Sequence, residues 1–223
     1  WFDDWTNTDK NPTDPRTIPL QQTATDILGL NYREIKPRID VENTRRPIEE
    51  KYVCISTSST AGCKHWQNPT GWQDTVDYLN DSGFKVVVLQ KEALDWMDLQ
   101  GLDNVEHPNT ENIHDVITWL NSCEFFIGLG SGISWLAWGL NKDVVLISGF
   151  SKALAEFHTP YRVINEDVCN GCWNNPDHRF DRGDWNWCPE HKNTDKHFEC
   201  TKNITFDMVK QKINEIAHKK EKQ

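Results

Sequence analysis

The sequence lacks a long hydrophobic run, a secretory leader and an excess of positive charge. No apolar stretch approaches the ~20 residues that a membrane-spanning helix needs, and the first residues do not follow the pattern of a signal peptide. The 223 residues carry a formal net charge of −10, which argues against nucleic acid and against an anionic membrane surface as partners. Because the chain starts at Trp1 and not at a methionine, we expect a piece of a longer protein or a processed chain.

Four of the seven cysteines fall in one loop-rich segment, residues 168–200. Cys169 and Cys172 form a C-x-x-C pair, Cys188 follows after 15 residues, and Cys200 follows after 11 more. Four thiolates at such a spacing are what a tetrahedral metal site needs, and glycine and proline keep this segment out of long helices and strands. We therefore predict that these four cysteines bind a structural ion. Zinc is the default ion for four thiolates, and iron is compatible with the same ligands.

Disulfides or unpaired thiols are the alternatives to a metal site. Seven cysteines cannot all pair within one chain. Cys54, Cys63 and Cys123 lie apart from the segment and have the character of free thiols. Free thiols beside a sulfur-rich metal site predict a reducing, cytosolic compartment.

From residue 51 onward, short apolar runs alternate with segments of helical periodicity. This alternation predicts an α/β fold: a Rossmann-like parallel sheet with helices on both faces. Residues 17–29 read as a short helix and residues 31–50 as a linker, with a short strand around Ile35 and Ile39. The predicted strands are 52–56, 84–89, 124–129, 143–148 and an edge strand 162–165; the predicted helices are 72–83, 112–122, 133–140 and a C-terminal helix within 201–223.

Polar loops follow two of the predicted strands, and ligands of such sheets bind beyond the carboxyl ends of the strands. The loop S-T-S-S-T-A-G-C-K ends at Lys64 and offers hydroxyls, amides and a point charge to a phosphate; a solvated polar loop is the alternative. The turn G-L-G-S-G-I-S, residues 128–134, lets the backbone approach a ligand and opens a helix N-terminus to a pyrophosphate; a plain strand–helix turn is the alternative. After the 84–89 strand, Gln90 and Glu92 are candidates to bond ribose hydroxyls; placement on the surface is the alternative.

The stretch N-S-C-E-F-F-I-G-L-G-S-G-I-S-W-L-A-W-G-L-N-K-D-V-V-L-I-S-G, residues 121–149, resembles the nucleotide-sugar domain of the heptosyltransferases of glycosyltransferase family 9. Ser131 and Gly132 match that family, whereas Gly130 stands where an acid is usual and Trp135 where a histidine is usual. The four cysteines with D-W-N-W-C-P-E-H, and D-W-T-N-T-D-K-N-P-T-D-P-R near the start, are similar to the narrower group of bacterial autotransporter heptosyltransferases. The resemblance covers essentially the whole chain.

The resemblance implies a GT-B glycosyltransferase, with two Rossmann-like domains and the active site between them. This chain would be the C-terminal, donor-binding part. Residues 1–50 would end the acceptor domain, 51–167 would bind the nucleotide sugar, 168–200 would hold the metal, and 201–223 would form the closing helix. The donor would be ADP-heptose, and the acceptor would be serine hydroxyls of an autotransporter adhesin, modified in the bacterial cytoplasm with inversion.

The resemblance further implies iron on the four cysteines and a ring-shaped homo-oligomer, a dodecamer. Carried over by position, Lys64 would meet the pyrophosphate, and the turn would supply backbone contacts to it. The catalytic base would lie in an N-terminal domain that has no counterpart here. Two alternatives stay open: a non-catalytic fragment that binds nucleotide and oligomerises, and a family 9 transferase with another sugar nucleotide. The implied donor-binding residues are Thr57, Ser58, Thr60, Lys64, Gln90, Glu92, Gly130, Ser131, Gly132 and Ile133.

Overall fold

The computed structural model describes residues 13–41, 45–91, 101–178 and 186–221. Within them, every named strand belongs to one parallel sheet. The strands are β1 Tyr52–Ile55, β2 Lys85–Val88, β3 Phe126–Leu129, β4 Val144–Ile147 and β5 Arg162–Val163, in the order β2-β1-β3-β4-β5. The helices are α1 Leu20–Ile27, α2 Gly71–Asp81, α3 Ile113–Ser122, α4 Gly132–Gly139, α5 Glu199–Lys202 and α6 Phe206–Glu221.

The sheet is buried on both faces, and this confirms the predicted fold class. Alternate residues of a strand point to opposite faces, so Val53 and Ile55 pack in one core and Tyr52 and Cys54 in another. The first core includes residues of α2 and α6. The second includes residues of α3 and α4. Because both faces are covered, the central strands are nearly continuous in apolar residues.

Local sequence explains where the helices next to the sheet edge begin. Asn112 caps α3: its side chain accepts from the amides of His114 and Asp115, while the Asp115 carboxylate accepts from the Asn112 amide, which is a capping box. At α4, Ser131 is the N-cap residue, in extended conformation, and its side chain makes no capping bond. The α4 N-terminus therefore keeps its first amides for another acceptor.

Several boundaries and one orientation differ from the sequence-based predictions. The first helix begins at Leu20, not at residue 17, because Pro19 stands at its N-cap. Residues 31–41 form no strand around Ile35 and Ile39. Helical periodicity over residues 112–122 predicts that the apolar Ile113 points inward, but Ile113 is 56% exposed because it is the first residue of α3. Among the described residues, no helix combines the length and the apolar character that a membrane crossing requires.

The cysteine segment packs as a small third cluster beside the sheet. Cys172 and Cys188 are buried there with Cys63, Phe150 and Phe198. Arg16 links the residues before α1 to the cysteine segment, because its guanidinium donates to the carbonyls of Pro176 and His178 at 2.6 and 3.0 Å. The segment thus packs with residues 61–63 and 150, which adjoin the sheet. The proposed division into domains stays a prediction.

Candidate functional site

A cleft of about 980 Å³ lies at the carboxyl edge of the sheet, where β1, β2 and β3 end. The loop after β1, the residues after β2 and the turn after β3 all line it, as the topology of a parallel sheet requires. Eight of the ten predicted donor-binding residues border this cleft. They are Ser58, Thr60, Lys64, Gln90, Gly130, Ser131, Gly132 and Ile133.

The basic loop and the glycine turn meet directly. Lys64 ends a short 3₁₀ turn, Gly62–Lys64, and its Nζ donates to the carbonyl oxygen of Gly130 at 3.0 Å. The ammonium therefore stands beside the turn that precedes α4. A positive charge next to a helix N-terminus is the arrangement that a phosphate or diphosphate requires.

Polar groups of the turn have no partner within the described part of the chain. The Ser131 Oγ atom is buried and meets no hydrogen-bond partner there. The amides of Gly132 and Ile133, the first two residues of α4, likewise donate to no described residue. Buried polar groups in proteins are nearly always hydrogen-bonded. The turn is thus chemically equipped to bind an anionic ligand.

One predicted donor-binding residue, Thr57, is absent from the lining of the cleft. Thr57 is 3% exposed, and its amide and hydroxyl both donate to the Gln90 side-chain oxygen, at 3.0 and 2.9 Å. Thr57 therefore holds Gln90 in place and does not line the cleft, because its side chain turns toward the neighbouring strand end. Glu92 lies outside the described residues.

Sequence reasoning missed the apolar wall of the cleft and one buried histidine. Pro37 and Ile39, from the segment read as a linker, border the cleft, as does the exposed Ile113. No periodic pattern marks the first two, because they lie outside any helix or strand. His65 is fully buried, and its Nε2 lies 3.1 Å from the Ser59 nitrogen and 3.0 Å from the Ser59 oxygen, so that it fixes the loop before Lys64.

The cysteine segment forms a second candidate site. Burial raises the pKa of the Cys200 thiol to about 12, and the nearby Cys188 and Cys169 sulfurs add to this rise. Burial, and after it the sulfurs of the other three cysteines, also raises the pKa of Cys172. The four sulfurs thus lie within electrostatic reach of one another. Thiolates at these positions would need a cation to hold them deprotonated.

His191 and Glu199 approach the same site. Ligand atoms of Cys169, His191 and Glu199 lie within 4.8 Å of one another, and the His191 amide donates to the Cys188 Sγ at 3.2 Å. A nitrogen and an oxygen donor thus lie beside the sulfurs. The set of four sulfurs as sole ligands stays a prediction.

No family model matches the chain, but individual proteins do. It is 42% identical to the autotransporter heptosyltransferase Aah of Escherichia coli over 209 residues, which cover 91% of this chain and 53% of Aah. It is 40% identical to the autotransporter heptosyltransferase TibC of Escherichia coli, covering 94% of this chain and 52% of TibC. An inactive autotransporter heptosyltransferase, BimC of Burkholderia thailandensis, is 35% identical over 92% of this chain and 49% of its own length.

Solved structures of heptosyltransferases are also similar to this chain. The iron-containing dodecameric glycosyltransferase TibC from enterotoxigenic E. coli superposes with a TM-score of 0.89 at 38% identity, covering 96% of this chain and 57% of TibC. The E. coli ADP-heptose lipopolysaccharide heptosyltransferase II shares the fold, with a TM-score of 0.58 at 16% identity. The match covers 91% of this chain and 59% of that structure. The chain spans about half the length of the curated relatives it matches. Over that half, the chain is similar in sequence and in fold to the bacterial autotransporter heptosyltransferases.

Proposed function

We propose that this chain is the donor-binding part of a glycosyltransferase that transfers heptose from ADP-heptose to serine hydroxyls of an autotransporter adhesin. One observation carries the proposal. The Lys64 Nζ atom meets the Gly130 carbonyl at 3.0 Å, so that a cation, the Ser131 hydroxyl and two α4 amides converge on one cleft. TibC has been crystallised in complex with ADP-D-β-D-heptose, which supports the choice of nucleotide sugar.

Transfer of the sugar breaks the bond between its anomeric carbon and the β-phosphate oxygen. Negative charge then develops on the departing ADP. Lys64 and the amides of Gly132 and Ile133 would be preorganised donors for that charge, which is the most effective way for a protein to stabilise a leaving group. The Ser131 hydroxyl would donate to the same phosphate. The base that removes the acceptor proton would come from the remainder of the protein, and attack from the opposite face would invert the anomeric centre.

Nucleoside recognition is proposed for the residues after β2. Gln90 is held by Thr57 at the mouth of the cleft, and its amide is suited to ribose hydroxyls. Ser58 and Thr60 would border the diphosphate, and Glu92 would contribute a carboxylate. The apolar wall near Ile113 gives the flat base a surface from which water is excluded.

The ion of the cysteine site is proposed to be iron, with zinc as the alternative, and its role to be structural. The crowded sulfurs of the segment support a thiophilic ion, and TibC is an iron-containing protein. Its ligands would be Cys169, Cys172, Cys188 and Cys200. Such an ion would stabilise a segment that has a small apolar cluster of its own, since structural zinc supplies about 10–16 kcal/mol in small peptides.

Assembly and cellular location are part of the same proposal. TibC is dodecameric, and we propose a homo-oligomeric ring for the complete protein here as well. The seven cysteines form no disulfide in the structure, which supports a reducing, cytoplasmic environment, in which the adhesin is modified before export.

A second candidate function is nucleotide binding without transfer. A relative at 35% identity, BimC, is an inactive autotransporter heptosyltransferase, and the residues that line the cleft here include no assigned base. The two candidates share the donor cleft and differ in turnover.

Calorimetric titration and a transfer assay together test both candidates. The chain is titrated with ADP, with UDP as the matched control nucleotide, and the complete protein is incubated with ADP-heptose and a serine-containing acceptor whose intact mass is measured. Tighter binding of ADP than of UDP is the expected result. Transfer by the complete protein supports the enzyme, and binding of ADP without any transfer supports the binding module. If ADP does not bind, both candidates fail.

A further inference from the structure

The turn before α4 has no room for a side chain at position 130. A Cβ atom added to Gly130 would lie 1.8 Å from the Glu156 Oε1 atom and 3.0 Å from its Cδ. The φ angle of Gly130 is not in the left-handed region, whereas those of Gly29, Gly83 and Gly171 are. The requirement for glycine at position 130 is therefore steric. It is imposed by a carboxylate from another part of the chain.

The Glu156 side chain cannot easily yield this space. It follows the short 3₁₀ turn Ala153–Ala155 between β4 and β5, and its Oε2 accepts from the Arg162 Nη1 atom at 2.7 Å. The side chains of this ion pair are only 2% and 10% exposed. Arg162 belongs to β5, and its second Nη donates to the Phe157 carbonyl at 3.4 Å. Moving the carboxylate would break a buried ion pair and leave a charge without its partner, which is strongly unfavourable.

On its other side, Gly130 faces the cleft. Its carbonyl accepts from the Lys64 Nζ atom at 3.0 Å, and the Ser131 N-cap and the first α4 amide follow it directly in the chain. A displacement of the Gly130 peptide would therefore move the acceptor of the Lys64 ammonium and re-aim the amide of Gly132. The position of the Glu156–Arg162 ion pair therefore influences the geometry of the turn that borders the cleft.

We propose that Glu156 is a positioning residue of the donor site. Its carboxylate, held by Arg162, fills the space beside Gly130 and holds the Gly130 peptide in place. In that position the Gly130 carbonyl meets the Lys64 ammonium, and the α4 amides face the diphosphate. The proposal rests on the proposed function, because the ligand it concerns is the diphosphate of ADP. Glu156 touches neither the cleft nor the reacting atoms. It acts through the turn.

A double-mutant cycle that measures the effect of Gly130→Ala with and without the Glu156–Arg162 pair tests this role, and ADP affinity is the quantity measured. The proteins are wild type, Gly130→Ala, the pair-deleted double variant Glu156→Ala with Arg162→Met, and the triple variant. Removing both charges together avoids a buried unpaired arginine. Gly101→Ala is the matched control, because a Cβ at that exposed glycine meets nothing within 4 Å.

In the wild-type background, Gly130→Ala is expected to weaken ADP binding about 10- to 100-fold, the loss that follows when a charge-assisted hydrogen bond is misplaced. In the pair-deleted background the same change is expected to cost less than about threefold, because the obstacle is gone. Gly101→Ala binds ADP as the wild type does. An equal penalty in both backgrounds would overturn the role assigned to Glu156.

The conservative change Glu156→Gln distinguishes an effect of side-chain volume from an effect of the negative charge at position 156. Glu156→Gln keeps the side-chain volume and a hydrogen-bond acceptor for Arg162, so ADP affinity within about threefold of wild type is expected, and the Gly130→Ala penalty persists. A loss of ADP binding in Glu156→Gln alone would contradict a steric role. If the wild type itself binds no ADP, the proposed function fails. Melting temperature then decides the steric part alone: a Gly130→Ala loss that disappears in the pair-deleted background shows that Glu156 fixes the Gly130 peptide, and an equal loss overturns it.

Discussion

Replacing Lys64 by methionine removes the cation of the donor cleft while it keeps most of the apolar stem. Among the described residues, the ammonium makes one hydrogen bond, to the Gly130 carbonyl at 3.0 Å, so the folded chain loses little when it is removed. When ADP is bound, the same ammonium would make a charge-assisted bond to the diphosphate. Such a bond is worth about 1.5–3 kcal/mol, and Lys64→Met should therefore weaken ADP binding about 10- to 150-fold.

Calorimetric titration with ADP measures this loss, and melting temperature verifies that the variant is folded. Lys85→Met is the matched control: Lys85 is exposed and begins β2, at the opposite edge of the sheet from the cleft. Since the interaction is between opposite charges, raising the salt concentration should weaken ADP binding more in the wild type than in Lys64→Met. Equal ADP affinity in Lys64→Met and in the wild type would refute the assignment of Lys64 to the diphosphate.

Three further changes test other parts of the structure. Cys188→Ser should lower both the metal content, measured by elemental analysis, and the melting temperature; a variant that keeps its metal and its stability would contradict the structural role of the ion. Gly149→Ala should lower the free energy of unfolding by about 1–3 kcal/mol, since its Cβ would lie 2.8 Å from the backbone oxygen of Cys200, whereas Gly101→Ala should be neutral in the same denaturant titration. The hydrogen bond from Arg16 holds the pKa of the Asp14 carboxyl below its usual value, so this pair stabilises the fold above the unfolded pKa of about 4 and is lost as pH falls through the lower folded value. Asp14→Asn should accordingly lower stability by about 1 kcal/mol at pH 7, and the difference from wild type should shrink as the pH falls below about 4; a difference independent of pH would exclude the ion pair as its cause.

Sequence periodicity was sufficient for the sheet and for the position of the cleft. The strands are short apolar runs between helices, and such runs leave few alternatives to a parallel sheet. The loop that ends at Lys64 and the turn at Ser131 follow adjacent strands, β1 and β3. Their meeting at the carboxyl edge is therefore a consequence of topology.

Contacts between distant parts of the chain were not predictable from pattern. Gly130 reads in the sequence as a flexible turn residue, but its constraint comes from Glu156, 26 residues further along the chain. Pro37 and Ile39 border the cleft from a segment without periodicity. Thr57 was placed in the donor pocket by the family resemblance, whereas in the structure its hydroxyl donates to the Gln90 side chain. Each of these depends on tertiary packing, which local propensity does not contain.

The central claim is that one cleft at the carboxyl edge of the sheet binds the diphosphate of ADP between Lys64 and the start of α4. A crystal structure of the chain with ADP tests it most directly. Phosphate density is expected within hydrogen-bond distance of the Lys64 Nζ atom, the Ser131 Oγ atom and the Gly132 amide. Density for ADP elsewhere on the chain, with Lys64 still bonded only to the Gly130 carbonyl, would contradict it.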